Sequence, residues 1–409
     1  MPTKENQDSI IFRLGTHRTR TPEDTLVRVT PHMPAMGITR IADVTGLDTI
    51  GIPVVMVCRP NSRSVSLSQG KGSTVAAAKA SGLMESVEGF HAEHITKPLH
   101  IASMTDMQKF ARVVAIDQMP YIKGSLFHID FPITWIEGED IGSGSKLWVP
   151  YEMVHTNYTY PRPSGSGCFP ASSNGLASGN SVGEATVHGI CEVIERDAIS
   201  LWYQLGPAAV DKTSINLDTI DSALCRETIA RLKDAGLTTF VWDITSDSRV
   251  PSYFGVIIDQ TSRTQHIGVG SGTHLSKDVA ILRALHEAVQ VRTTYIVGAR
   301  DDIRPEEYTL KGIRAKRAYF ENIIDRCTFA SDYSKTIALD STSVKSDVDT
   351  LLLQLRGIGI NQVLRVDLSK PEFDISVVRI VIPGLEAPHD EEYYVPGPRA
   401  LKARQGARQ

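Results

Sequence analysis

What this chain of 409 residues lacks narrows its function before any motif is read. Its five cysteines (Cys58, Cys168, Cys191, Cys225, Cys327) are scattered, with no CxxC pair. That argues against a disulfide framework or a structural zinc site and fits a reducing cytoplasm. No apolar run approaches the length of a bilayer span, and the N-terminus MPTKENQDSIIF has no apolar core of a secretory signal. Basic excess is missing too. A net charge of −4 argues against a dedicated nucleic-acid binder, which would carry a basic stripe. A Walker A loop is also absent. In VSLSQGKGST, Val65 stands where its first Gly belongs and Gly72 where Ser or Thr belongs. No segment is of low complexity, and 41% hydrophobic residues suffice for a substantial core.

What is present centres on Ser173–Asp197, SNGLASGNSVGEATVHGICEVIERD. A Gly/Ser/Asn-rich loop is expected to turn into a helix carrying Glu192 and Glu195, followed by Arg196. Glutamates three apart project from one helix face, where two like charges need solvent or a cation beside them. The pattern recurs upstream, where Gly72, Ala78, Gly82, Glu85 and Glu88 match Gly179, Ala185, Gly189, Glu192 and Glu195. A looser third copy follows in DVAILRALHEAVQVR, with Ala280, Ala284, Glu287 and Gln290 in the same relative places.

Small residues one and two turns before each acidic pair let three helices pack closely and aim their side chains at one centre. Five carboxylates and one amide form a hard oxygen set of the kind Mg²⁺ prefers, together with water and phosphate. An isolated Glu-x-x-Glu reads as an exposed helix face. Here Leu83, Met84, Val87, Ile190, Val193 and Ile194 flank the acids, and a carboxylate among apolar neighbours is costly to bury without a counter-ion. Together with the repeat, this points to a metal–phosphate site.

The rest of the chain reads as a mixed α/β (α+β) fold, helices covering a sheet, in a single domain over 1–409. A polar N-terminal segment spans 1–30, with a helix start at Thr21–Pro22, and a tail spans 387–409. Strands are expected in ITRIADV, Ile52–Cys58, ITWIEG, LWVPYEMV, TTFVWDIT, SYFGVIID, QVLRVDL and VVRIVIP. Helices are expected around Leu224–Leu237, from an N-cap at Ser276, and in VDTLLLQLRGIG. Tyr160–Asn180, rich in Pro, Gly and Ser, reads as a linker or a mobile active-site loop, and residues 300–345 offer few clues.

Other polar residues carry two readings each. The glycine turn before the first acidic helix offers free N–H groups to an anion, with Lys71 adding a point charge or serving as a solvated turn lysine. Asn180 reaches a phosphate or ribose, or makes an Asx turn or helix cap. Glu184 in a first helical turn is favoured by the dipole alone. Arg196 and Arg292 suit bidentate phosphate contacts or structural neutralisation of the glutamates. His188 and His286 read as core or helix-face histidines, and no cysteine has a paired base. No residue is singled out as catalytic.

Gln69–Glu93, Ser173–Asp197 and Gly270–Arg292, in that order, make the chain resemble the YcaO family over nearly its whole length. The resemblance implies a YcaO-type fold with a non-Walker ATP site, where glutamates on neighbouring helices hold Mg²⁺ against nucleotide phosphates. By motif, Glu85, Glu88, Glu192, Glu195 and Glu287 would ligate Mg²⁺ or stand close by, with Gln290 beside them. Lys71, Asn180, Glu184, Arg196 and Arg292 would contact ATP. Ala177 falls where some relatives place a serine, and Ser178 substitutes.

The resemblance also implies the chemistry: O-phosphorylation of a peptide backbone amide, giving an azoline with a neighbouring Cys, Ser or Thr and a thioamide with sulfide. The tail KARQGARQ lacks the PxPxP ending frequent among cyclodehydratases. GITRIADVTGLDTIGIPVV, SNGLASGN and ICEVIERDA look most like the branch with TfuA partners. The expectation is thioamide formation on a precursor peptide with a TfuA-like partner. An azoline-forming cyclodehydratase and a non-catalytic ATP-binding adaptor are the alternatives. A homodimer is the default assembly.

Overall fold

A computed structural model describes residues 8–259, 266–388 and 393–406. The start of the N-terminal segment (1–7) and the last three tail residues lie outside them. Among these residues three antiparallel sheets, rather than the expected one, organise the chain. The first joins β1 (Arg40–Asp43), β2 (Val54–Cys58) and β3 (Leu67–Lys71), with the apolar run of β2 buried at its centre. β4 (Leu99–Ala102), β5 (Ile133–Asp140), β6 (Ser145–Pro150) and β7 (Leu176–Gly179) open the largest sheet. β8 (Leu237–Asp243), β9 (Ser252–Asp259) and β10 (Gly268–Thr273) make a meander. The chain then returns through β11 (Leu364–Asp367) and β12 (Ser376–Val381), so the large sheet runs β4-β5-β11-β12-β7 with β6 on β5.

The three acidic helices follow β3, β7 and β10 directly, as Val75–Glu93, Val182–Leu205 and Lys277–Val297. Thr74 and Ser181 cap the first two by accepting the N–H of Ala77 and Glu184. Ser276 stands at the expected N-cap of the third but makes no side-chain cap bond.

The two segments read as glycine loops are largely strand, which corrects the sequence reading, and the glycines before the third acidic helix are strand as well. Gly70 lies in β3, Gly179 ends β7, and Gly268, Gly270 and Gly272 alternate along β10. The reason is close backbone approach. A Cβ on Gly70 would stand 1.9 Å from the Ala78 carbonyl oxygen. On Gly179 it would meet the Ala185 nitrogen at 2.6 Å, and on Gly272 the Ala280 oxygen at 2.1 Å. Glycine on the strand against alanine on the helix seats each acidic helix directly on its own strand. The glycine turn before the first helix, read as an anion cradle, is therefore strand up to Lys71.

Glu152 pins the Pro/Gly/Ser-rich segment, which is not a free linker. Its carboxylate accepts the N–H groups of Gly167 (2.6 Å), Cys168 (3.0 Å) and Phe169 (2.9 Å). The N-terminal segment also packs on the body: Phe12 pairs with Arg18, and the helix Pro22–Val29 follows the Thr21 cap. A helix over Leu310–Ile324 occupies the stretch that offered few clues. Among the described residues no helix is long and apolar enough to cross a membrane.

Candidate metal and nucleotide site

The three strand–helix units interlock in a ring. Ser178, on β7 before the second helix, donates to Glu88 of the first through its N–H (2.8 Å) and Oγ (2.7 Å). Ser271, on β10, donates to Oε1 of Glu195 on the second helix at 2.7 Å. Lys71, ending β3, donates to Glu287 of the third helix at 2.9 Å. A strand donor from each unit thus meets an acid of another, and the ring closes. Gln69 and Gln290 add a fourth link, Gln290 Nε2 donating to Gln69 Oε1 at 3.2 Å.

The acids feel one another across this ring. Burial pushes the Glu88 carboxyl up to about 8, with Glu85 and Glu192 adding repulsion. Burial raises Glu192 to about 7 although Arg196 opposes it, and Glu195 adds to the rise. Glu85, exposed at the edge of the ring, also has its carboxyl raised by lost hydration, against the pull of Lys71 and Arg300. Glu287 goes the other way. Burial works against its charge, but Lys71 and Arg196 outweigh it and hold it low. Arg196 lies in the field of Glu192, Glu195 and Glu287, so one guanidinium serves acids of two helices.

Two buried oxygens show that this donor set fits a cation. Glu195 Oε2 and Gln290 Oε1 have no hydrogen-bond partner among the described residues. An unpartnered buried carboxylate oxygen costs far more than an exposed one, so this set is electrostatically unfinished. Yet no three His, Cys, Asp or Glu side chains among the described residues stand at the spacing of a ready-made metal cage. Both facts suit Mg²⁺, which takes one or two carboxylates and fills its remaining positions with water and phosphate.

The proposed nucleotide contacts are placed less uniformly. Glu184 accepts Thr19 through N–H and Oγ1, both at 2.8 Å, with Arg18 Nε at 3.5 Å. Asn180 donates from Nδ2 to Glu184 at 3.1 Å and accepts from Thr25 Oγ1 at 3.0 Å, while Ser181 caps the helix. Arg292 is buried in an ion pair with Asp48 at 2.8 Å and also donates to the His266 carbonyl at 3.3 Å. Its guanidinium is engaged structurally as it stands.

Sequence reasoning missed Arg18, Thr19 and Arg283. Arg283 lies one turn before Glu287, in the field of Glu192 and Glu287, and its Nη2 meets His188 Nε2 at 3.2 Å. Its spacing from Glu287 is that of an ordinary helix-surface ion pair, which hid it. Arg18 is brought in from a polar segment with no periodicity and senses Glu184 and Glu88. His188 is half-buried, and lost hydration, with Arg283 and Arg18 beside it, holds it neutral.

Comparisons with known proteins identify the family and the fold. The sequence profile described as YcaO cyclodehydratase, ATP- and Mg²⁺-binding, matches residues 69–386. An uncharacterised protein from the tfuA 3′ region of Rhizobium leguminosarum bv. trifolii is 33% identical over 408 residues, 95% of this chain and 93% of its own. The solved YcaO from Methanopyrus kandleri bound with AMPPCP and Mg²⁺ superposes with a TM-score of 0.74 at 21% identity, covering 93% of this chain and 95% of that one. A heterocyclase in complex with substrate and cofactor gives the same TM-score at 20% identity. This chain covers 93% of itself in that match but spans only 55% of the heterocyclase's length.

Proposed function

We infer what this chain does from one premise: it belongs to the YcaO family. Its cofactors are ATP and Mg²⁺. We propose that it phosphorylates a backbone amide oxygen of a peptide and completes the exchange with sulfide, giving a thioamide, together with a TfuA-like partner. The relative encoded beside tfuA supports the product and the partner. The observation that carries the reading is the ring of acids with two buried oxygens unpartnered, flanked by Lys71, Arg196, Arg18 and Arg283.

In this reading Glu85, Glu88, Glu192, Glu195, Glu287 and the Gln290 amide oxygen hold the metal. Lys71, Ser178, Asn180, Glu184 and Arg196 bind or position the nucleotide, and Arg292, held by Asp48, acts on it only by fixing the third helix. When bound, Mg²⁺ neutralises phosphate charge as it shifts during transfer. The chain's own part is to orient and to balance charge. Ser178 holds Glu88, Ser271 holds Glu195, and Arg196 with Arg283 offsets the negative charge that builds between nucleotide and acids. Hydrosulfide adds to the amide carbon, and the resulting oxyanion attacks the γ-phosphorus while the bond to ADP breaks. The C–O bond then breaks, phosphate departs, and the sulfur loses its proton to leave C=S. An amide oxygen leaves poorly; as phosphate it leaves well.

Intact mass spectrometry of a candidate precursor peptide after incubation with ATP, Mg²⁺ and sulfide tests the product. A gain of about 16 Da is a thioamide and a loss of about 18 Da an azoline, from atomic masses alone. Absence of peptide-stimulated ATP hydrolysis would leave the adaptor reading standing.

A further inference from the structure

Glu88, Glu195 and Gln290 hold the same place on the three acidic helices, and each is met by a side chain from another unit's strand. At the two acids that side chain is a donor. Ser178 gives its hydroxyl to Oε1 of Glu88 and Ser271 to Oε1 of Glu195, both at 2.7 Å. At the amide it is an acceptor. Gln69 of β3, 2% exposed, takes Nε2 of Gln290 on its Oε1 at 3.2 Å. On the second and third helices the other terminal oxygen, Glu195 Oε2 and Gln290 Oε1, is buried with no partner among the described residues. The strand partner thus changes from donor to acceptor with the side chain it holds, and an oxygen is left over either way.

The change matters because a carboxylate has oxygen at both ends and an amide at only one. Turned end for end, an amide keeps its shape, so hydrogen bonds decide which end faces the acids. With its NH₂ toward them, Gln290 would present a donor, which cannot ligate a cation. Gln69 blocks that arrangement while its own oxygen points at the third helix. Thr294, one turn after Gln290, secures it by donating its hydroxyl to the same Gln69 Oε1 at 2.7 Å. That hydroxyl is also 2.7 Å from the main-chain carbonyl of Gln290 and has one proton to give. Given to Gln69, the proton fixes the oxygen toward the helix. Given to the helix carbonyl, it frees both amides to turn over together. No other side chain among the described residues holds either amide.

We propose that Gln69 is the positioning residue for the third helix's ligand. By taking the NH₂ of Gln290 it leaves that side chain's oxygen for Mg²⁺, and Thr294 fixes Gln69 in turn. This rests on the metal reading of the acid ring and needs nothing from the peptide chemistry.

Calorimetric titration of the full chain with AMPPCP, with and without Mg²⁺, tests it. The factor by which Mg²⁺ tightens AMPPCP binding separates the metal from the nucleotide contacts, and melting of the metal-free chain reports folding. Gln69→Leu should cut that factor about 10–100-fold, the usual worth of a group that orients a metal ligand. Gln290→Glu should raise the factor more in the Gln69→Leu chain than in the wild type, because a carboxylate needs no orienting partner. Equal gains in the two backgrounds would mean that Gln69 only packs the helix, and would overturn the proposal. An unchanged factor in folded Gln69→Leu does the same. Should that variant fail to fold, Thr294→Val decides. It keeps the shape and removes the proton donor, so it should lower the factor while Thr294→Ser preserves it, and a wild-type factor for Thr294→Val then overturns the proposal. Mg²⁺ without effect on the wild-type chain would sink the metal reading and this proposal with it. A metal effect indifferent to all these variants sinks the proposal alone.

Discussion

Two glutamates, Glu93 buried and Glu88 half-buried, sit five residues apart on the same helix and have opposite fates. Glu93 is answered on every side. Arg59 Nη1 and Nη2 reach its two oxygens at 2.5 and 2.7 Å, and Ser62 and Ser64 donate as well. Burial works against its charge, but Arg59 and Ser64 outweigh it and hold the carboxyl below its usual range. Among the described residues Glu88 accepts hydrogen bonds from Ser178 alone and faces two other acids, and its carboxyl rises to about 8. Burial of an acid therefore does not mark a site. An acid that the fold brings in and leaves uncompensated does.

The largest expected difference is between neutralising one or the other. Glu88→Gln or Glu195→Gln should lower ATP turnover on the order of 1,000-fold, the rate equivalent of several kcal/mol of lost charge stabilisation, with the melting temperature held or raised. Glu93→Gln should do the reverse. It strands Arg59 and should reduce stability by about 3–5 kcal/mol in a denaturant titration, while the folded fraction still binds Mg²⁺–ATP. Unchanged turnover in both site variants would break the comparison.

A smaller effect is expected where strand and helix touch. Gly272→Ala needs the third helix to move off β10 and should destabilise by about 1–3 kcal/mol. It should also weaken Mg²⁺–ATP binding, because Glu287 and Gln290 ride on that helix. Alanine accommodated with full affinity would show that the contact does not set the acids.

The smallest effect is in pH. Glu88 takes up a proton in the folded chain at about 8 and in the unfolded chain near the ordinary 4.5, so between these values the folded state binds more protons. Its contribution to stability is complete below about 4.5 and is lost as pH rises through about 8. Metal-free protein should melt lower at pH 8 than at pH 6, and Mg²⁺–ATP should raise the melting temperature more at pH 8. Binding at pH 7 should also release protons, seen as heats that vary with buffer ionisation enthalpy. Glu88→Gln should reduce that release, and a release identical in wild type and variant would contradict the carboxyl's assignment.

The comparison also shows what can be read in advance. The repeat put Glu85, Glu88, Glu192, Glu195, Glu287 and Gln290 in matching places on three helices, and the fold brings the five acids into one another's field, because spacing along a helix survives into space as a shared face. It could not separate Glu88 from Glu93, since Arg59 and Ser178 arrive from distant segments. The glycines were legible as a pattern but misread as loops. A glycine that admits a neighbouring backbone looks, in one dimension, like a glycine that turns. Arg18 and Thr19 carry no periodicity and reach Glu184 only through the packing of the N-terminal segment. The helix Leu310–Ile324 was obscured by its charged residues.

The closed circuit from Ser178 to Glu88, Ser271 to Glu195 and Lys71 to Glu287 has a further consequence. Segments some two hundred positions apart are strapped at a single point, and a divalent load at that point pulls on all of them together. Amide hydrogens in 75–93, 182–205 and 277–297 should then slow their exchange in unison when Mg²⁺–ATP is added, as one cooperative unit assembled from three stretches of chain.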